Sequence, residues 1–326
     1  MISNKNLGQL RTCTAKHDLP ENLHVKGNEH LAAAFYQSKL WDPNSTIKVK
    51  FLDENPTIER TSKNNMSTKN GEIDPLQKYF FDNPKITITE CVKQIVKERI
   101  QPLVSLKFEF VDKNSDADIR ISFDSTGGSW SELGTDAKNI SPDKATMNLG
   151  WFDVSTVMHE FGHVLGMIHE HQNPSGQTID WNKQKVYEWA NETQGWDKDM
   201  TDKNILNKYN KNQVNGSSFD PLSIMLYFFP GDLTNNGKGT NQNLRLSGLD
   251  MEFINKKYSK DNAKTFFPSI YKESLESNIN KSKEMATKLA EPNLSKVSKI
   301  IVIIVLPLIL VVGGYFLVKY LQKKYR

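Results

Sequence analysis

Four of the seven histidines fall within the thirteen-residue string HEFGHVLGMIHEH at positions 159–171, and no other stretch restricts the chain so strongly. His159 and His163 are four residues apart. In a helix that spacing stacks both rings on one face, with about 5 to 6 Å between Cβ atoms, a gap that one zinc ion bridges. Glu160 stands one step round the helix, where its carboxylate can meet a water at the metal without being a ligand, the general-base role that HExxH spacing assigns. Gly166 can take a positive φ, so the chain can leave the helix sharply and bring His169 round as a third ligand. A fourth position stays open for water. A closed zinc site that only staples the fold would use four protein ligands and favour cysteine. The two cysteines, Cys13 and Cys91, lie far from the string, and a purely structural metal has no use for Glu160.

Charge and cysteine content narrow the class. Forty-two Lys and Arg against 38 Asp and Glu give a net charge of +4, with no basic stretch interleaved with aromatics, so nucleic acid is excluded as a partner. Two cysteines cannot form a disulfide framework, which suits a reducing compartment. Residues 300–318 read IIVIIVLPLILVVGGYFLV without a charge. That is about 28 Å of helix, enough to cross a hydrocarbon core, and transmembrane helices tolerate a residue such as Pro307. Residues 1–20 contain no apolar run of signal-peptide length, so no cleavable export signal is expected. A single span near the C-terminus then implies a tail-anchored arrangement with the main domain in the cytosol. Sequons such as Asn44, Asn191 and Asn215 arise by chance in an asparagine-rich chain.

Length and patterning predict one main domain with long flanks. Residues 1–39 read as an N-terminal extension, 40–258 as the catalytic domain, 259–299 as a polar stalk, 300–318 as the transmembrane helix and 319–326 as a basic tail. Alternating apolar residues predict strands over 46–52, 105–111 and 118–123, and helical spacing of Ile88, Val92, Ile95, Val96 and Ile100 predicts a helix over 87–100. Residues 59–75 and the glycine-rich stretch from Gly127 read as loops, and 146–150 as a short strand. Asp153 can cap the histidine-bearing helix, whose buried face is Val157, Phe161, Val164 and Leu165. Ser247 and Asp250 form a capping box for a last helix ending near Tyr258. The class is α+β.

The spaced string HExxHxxGxxH resembles that of the metzincins, and Glu170, directly after the third histidine, resembles the mark of their astacin family. Ser223, Ile224, Met225, Leu226 and Tyr227 are similar to the Met-turn of that family. IKVKFLD, ADIRISF, GGSWSELGTD, TMNLGW and LSGLD recur in order in astacin-like bacterial and viral peptidases, so the resemblance covers roughly residues 40–258. It implies a zincin-like domain with a twisted mixed sheet, an active-site helix and a C-terminal helix. It also implies a zinc-dependent endopeptidase with one catalytic Zn2+ on His159, His163 and His169, Glu160 as general base, Met225 beneath the site, and Tyr227 touching zinc or the reaction oxyanion. The partners implied are a protein or peptide substrate, lying along 146–150 as an added strand, and a membrane through residues 300–318. Phe228 and Phe229 would help to set side-chain preference.

The chain departs from the family in places. The disulfides of secreted members are absent, and Leu226 stands where many members have histidine. In those enzymes the glutamate after the third histidine engages a new N-terminus once a propeptide is removed, a partner Glu170 is not expected to have. Cys13 reads as inert rather than as a thiolate cap on zinc. Two rival functions share the motif: a membrane-tethered binding module that keeps zinc for stability, and a hydrolase of amide bonds outside proteins.

Overall fold

The computed structural model describes residues 34–60, 73–175, 179–215 and 219–258. The polar stalk, the apolar segment 300–318, the basic tail and most of the N-terminal extension lie outside the described residues. Among the described residues no helix is long and apolar enough to cross a membrane. In chain order the strands are β1 (Phe35–Tyr36), β2 (Thr46–Phe51), β3 (Lys107–Phe110), β4 (Ile119–Ser122), β5 (Trp130–Ser131), β6 (Met147–Asn148) and β7 (Val214–Asn215). The α-helices are α1 (Pro75–Asp82), α2 (Ile88–Ile95), α3 (Val154–Val164), α4 (Lys183–Gln194), α5 (Lys198–Thr201) and α6 (Gly248–Tyr258).

Alternation in β2 does what period-two patterning requires: Ile47, Val49 and Phe51 are buried while Thr46 and Lys48 are exposed. The strand pairs in parallel with β3 on one side and β4 on the other, and β4 pairs in parallel with β6. β5 runs antiparallel to β6, which makes the five-stranded sheet mixed, in the order β3-β2-β4-β6-β5. The family resemblance implies that residues 146–150 are the edge strand; instead Met147 and Asn148 sit between β4 and β5. The edge is β5, inside the stretch expected to be only loop. The reason lies in Asn148, whose buried side-chain amide donates to the carbonyls of Asp124 and Gly128 and folds the glycine-rich segment back as a further strand.

Thr87 caps α2 by accepting from the Glu90 N–H, and the expected apolar face follows, with Ile88, Val92, Ile95, Val96 and Ile100 all buried. The chain widens into a π turn over Val96–Ile100. α2 and α3 pack together against the sheet, and Phe161 meets Phe108 edge-to-face at 5.6 Å. The folded unit also takes in residues upstream of position 40. Phe35 is fully buried, 5.1 Å from the ring of Phe253 and 6.4 Å from that of Tyr258, and β1 pairs with β7. A two-residue strand is too short for periodicity to reveal. At the far end of α6 the Tyr258 hydroxyl donates to the Leu165 carbonyl at 2.6 Å, so the last helix fixes the exit of α3.

Candidate metal centre

Local chemistry sets both ends of α3. Asp153 accepts from the Thr156 N–H at 2.6 Å, as its N-cap position predicts, and the buried Gln77 of α1 accepts from the Val154 N–H at 2.7 Å. At the other end Gly166 has φ +90°, its N–H donates to the His163 carbonyl, and the Met167 N–H donates to that of Gly162. This is a complete Schellman motif, and it turns the chain so that His169 returns to the face bearing His159 and His163.

The three imidazoles converge. His163 Nε2 lies 3.1 Å and His159 Nε2 3.3 Å from His169 Nε2, and one ligand atom from each ring falls within 4.8 Å of the others. Nitrogens bound tetrahedrally to zinc at about 2.0 to 2.1 Å stand about 3.3 Å apart, so the separations fit one ion. Tautomers agree with this. His159 Nδ1 lies 2.8 Å from the Ile224 carbonyl and His163 Nδ1 2.8 Å from that of Met167; a carbonyl only accepts, so each Nδ1 carries the proton and each Nε2 keeps its lone pair. Burial, outweighing the bond to Ile224, holds the His159 pKa down to about 4, and the ring is neutral at neutral pH, as a ligand must be. Glu160, next along α3, is buried.

Met225 lies under this helix. A Cβ on Gly162 would stand 2.6 Å from its sulfur, so the fourth residue of HEFGH is glycine because the Met-turn is pressed against it. The Glu170 N–H donates to the Met225 carbonyl at 3.0 Å and ties the third-ligand segment to that turn. Beneath runs a buried polar chain. Glu170 Oε1 accepts from the Asp220 N–H and the Asn173 amide, Ser247 bridges Asp220 and Asp250, and Asp250 accepts from the Ser223 hydroxyl and the N–H groups of Ile224 and Ser247. Burial raises the Glu170 carboxyl well above the usual range, and burial with the charge of Asp220 pushes Asp250 up to about 7. The Ser247–Asp250 capping box forms as the sequence predicts, with the Asp250 N–H donating back to Ser247 Oγ.

The Tyr227 ring lies 4.3 Å from that of His169 and 6.0 Å from that of His159. All five expected site residues, His159, Glu160, His163, His169 and Tyr227, therefore share one region of the fold. Phe229 does not line a pocket as expected. It is fully buried, edge-on to Trp181 at 4.7 Å and to His171 at 5.2 Å, whereas Phe228 stays partly open. Sequence reasoning also missed His171, a buried ring stacked 5.4 Å from His169 and bonded to the Asn204 carbonyl; the doubled HEH was its only signal. Gln77, Asn243 and Thr240, which bond to backbone from far along the chain, had none.

No curated protein matches the chain. Among solved structures it is similar to myroilysin, at 33% identity and a TM-score of 0.58, over 70% of this chain and 100% of that one. It also matches high choriolytic enzyme 1, a hatching-enzyme zinc-protease from the medaka fish Oryzias latipes, at 15% identity and a TM-score of 0.37, over 72% of this chain and 97% of that one. The family model for the Astacin peptidases matches residues 85–259. That match spans more than half of the 326 residues and contains all three converged histidines, so the chain belongs to the astacin family as a zinc metalloendopeptidase.

Proposed function

We propose that this zinc peptidase cleaves peptide bonds with Glu160 as general base and Tyr227 as hydrogen-bond donor to the oxyanion. Bound on the three histidines, zinc supplies Lewis-acid activation of water and of the scissile carbonyl. Glu160 takes the proton of the attacking water and delivers it to the leaving amine. The Tyr227 hydroxyl donates to the oxygen that becomes negative, a contribution of about 3 kcal/mol for donors of this kind. The observation that carries this reading is a buried acidic residue, Glu160, next along the helix from the first of three histidines whose ring nitrogens converge.

Substrate backbone pairs with the outer edge of β5, by β-augmentation, which recognises main chain generically. The catalytic domain is tethered through residues 300–318 by way of the stalk and faces the cytosol, a placement that rests on the uncharged segment and on a cysteine content suited to a reducing compartment. Glu160→Gln is expected to retain zinc and to lose about 10²- to 10⁴-fold in kcat. Zinc retention with undiminished proteolysis would overturn the mechanism. Removing residues 299–326 should release active enzyme from membranes, and protease protection of the intact chain in sealed vesicles reports the side.

A further inference from the structure

We infer that Thr240 is the positioning residue for Tyr227, and this rests on the oxyanion role proposed above. Tyr227 follows the Met-turn, and its backbone is held on both sides. Upstream, the Met225 carbonyl accepts from the Glu170 N–H at 3.0 Å. Downstream, one residue makes three bonds. The Thr240 hydroxyl donates to the Tyr227 carbonyl at 2.6 Å and accepts from the Phe229 N–H at 2.6 Å, while the Thr240 N–H donates to the Phe229 carbonyl at 2.9 Å. A single side chain thereby spans the two peptides flanking Phe228.

The segment carrying Thr240 is itself jammed in place. A Cβ on Gly239 would stand 2.3 Å from the Phe229 carbonyl oxygen, and one on Gly231 2.4 Å from that of Gly237. Phe229 is locked among Trp181, Trp189 and His171. The clamp leaves the Tyr227 ring against His169 and fixes the backbone from which it projects. A hydroxyl that both donates and accepts suits this position, and of the uncharged side chains of its size only Thr and Ser supply one.

The test is a double-mutant cycle in the zinc-loaded full chain, with zinc content and thermal midpoint measured for each protein. Thr240→Val is expected to lower kcat about 10- to 100-fold with KM within about twofold, since small misplacements of a reacting group cost on that scale. Thr240→Ser should restore most of the loss. In a Tyr227→Phe background, itself about 10²-fold down, Thr240→Val should cost little more. An equal loss in both backgrounds, or no loss in the native one, would refute the positioning role while leaving the Tyr227 reading intact. An undiminished Tyr227→Phe enzyme would sink both.

Discussion

Residues 153–169, which carry the three zinc ligands, and residues 220–229, which carry Met225 and Tyr227, build one site but are held by different kinds of bond. In the first segment the turn-forming contacts are local, Asp153 to Thr156, Gly166 to His163, Met167 to Gly162, and His163 Nδ1 to the Met167 carbonyl, with the Ile224 carbonyl at His159 Nδ1 and the Tyr258 hydroxyl at the Leu165 carbonyl added from outside. In the second they come from far away. Asp250 reaches back to Ser223 and Ile224, Asn243 donates to the carbonyls of Pro221 and Ser223, Thr240 spans Tyr227 and Phe229, and Glu170 holds Asp220 and Met225. The ligand segment is shaped mainly by its own sequence, whereas the floor exists only once α6 and the 237–243 stretch have docked. Loss of a ligand in the first should therefore register in metal and activity, and loss of a remote acceptor such as Asp250 beneath the second in cooperative stability.

The sharpest way to test that division is to remove the metal. Chelation should abolish proteolysis and lower the thermal midpoint, because an ion that binds only the folded chain stabilises it by mass action. Added zinc should restore both. His163→Ala should imitate chelation irreversibly. A His163→Ala protein that kept zinc and turnover would place the ligands elsewhere.

Next in size stands the floor. Asp250→Ala strips three donors, Ser223 Oγ and the N–H groups of Ile224 and Ser247, of a buried acceptor, at roughly 1 kcal/mol each or about 3 kcal/mol in all. Urea denaturation should show that loss with zinc stoichiometry unchanged. The same residue makes a prediction in pH. Its folded pKa of about 7 exceeds an unfolded value of about 3.9. Between the two the folded state holds a proton that the unfolded chain has released, so this group's contribution to stability falls as pH rises through the window. Asp250→Asn removes the titration, and its stability deficit should shrink from pH 4.5 to pH 7. His159 has a lowered pKa and slopes the opposite way, but it is common to both proteins and drops out of the difference.

This division also explains what could be read from the sequence. The cap, the Schellman exit, the i,i+4 pair and the Ser247–Asp250 box are each decided within a few residues, so their chemistry is visible in a short string. The Met-turn was visible only through resemblance, since SIMLY alone patterns as an ordinary buried strand. The edge strand and Phe229 went astray for a related reason. Whether Trp130 and Ser131 pair as β5 depends on the Asn148 amide, and whether Phe229 faces cleft or core depends on Trp181 and His171. Nothing in the segments themselves carries that information. Gln77, which helps to cap α3, was missed because it acts across 77 residues.

Gly162 is where the two segments meet, so it tests their coupling. With a Cβ 2.6 Å from Met225 Sδ, Gly162→Ala should displace the thioether and destabilise by about 2 kcal/mol through overpacking, despite the better helix propensity of alanine. Combined with Met225→Ala, which opens the space, the two effects should be markedly less than additive. Strict additivity would mean that helix and floor adjust independently.

The smallest effect should come from the most local bond. Asp153→Ala removes an N-cap and should cost about 1 kcal/mol. The Val154 N–H keeps Gln77 as its acceptor, and the Schellman exit is untouched, so His159, His163 and His169 should stay converged. Zinc content and kcat should match the native enzyme while the denaturation midpoint moves slightly. A loss as large as that of Asp250→Ala would show that α3 depends on its first turn as heavily as the floor depends on α6, and the contrast between a locally built ligand helix and a remotely built floor would then fail at its local end.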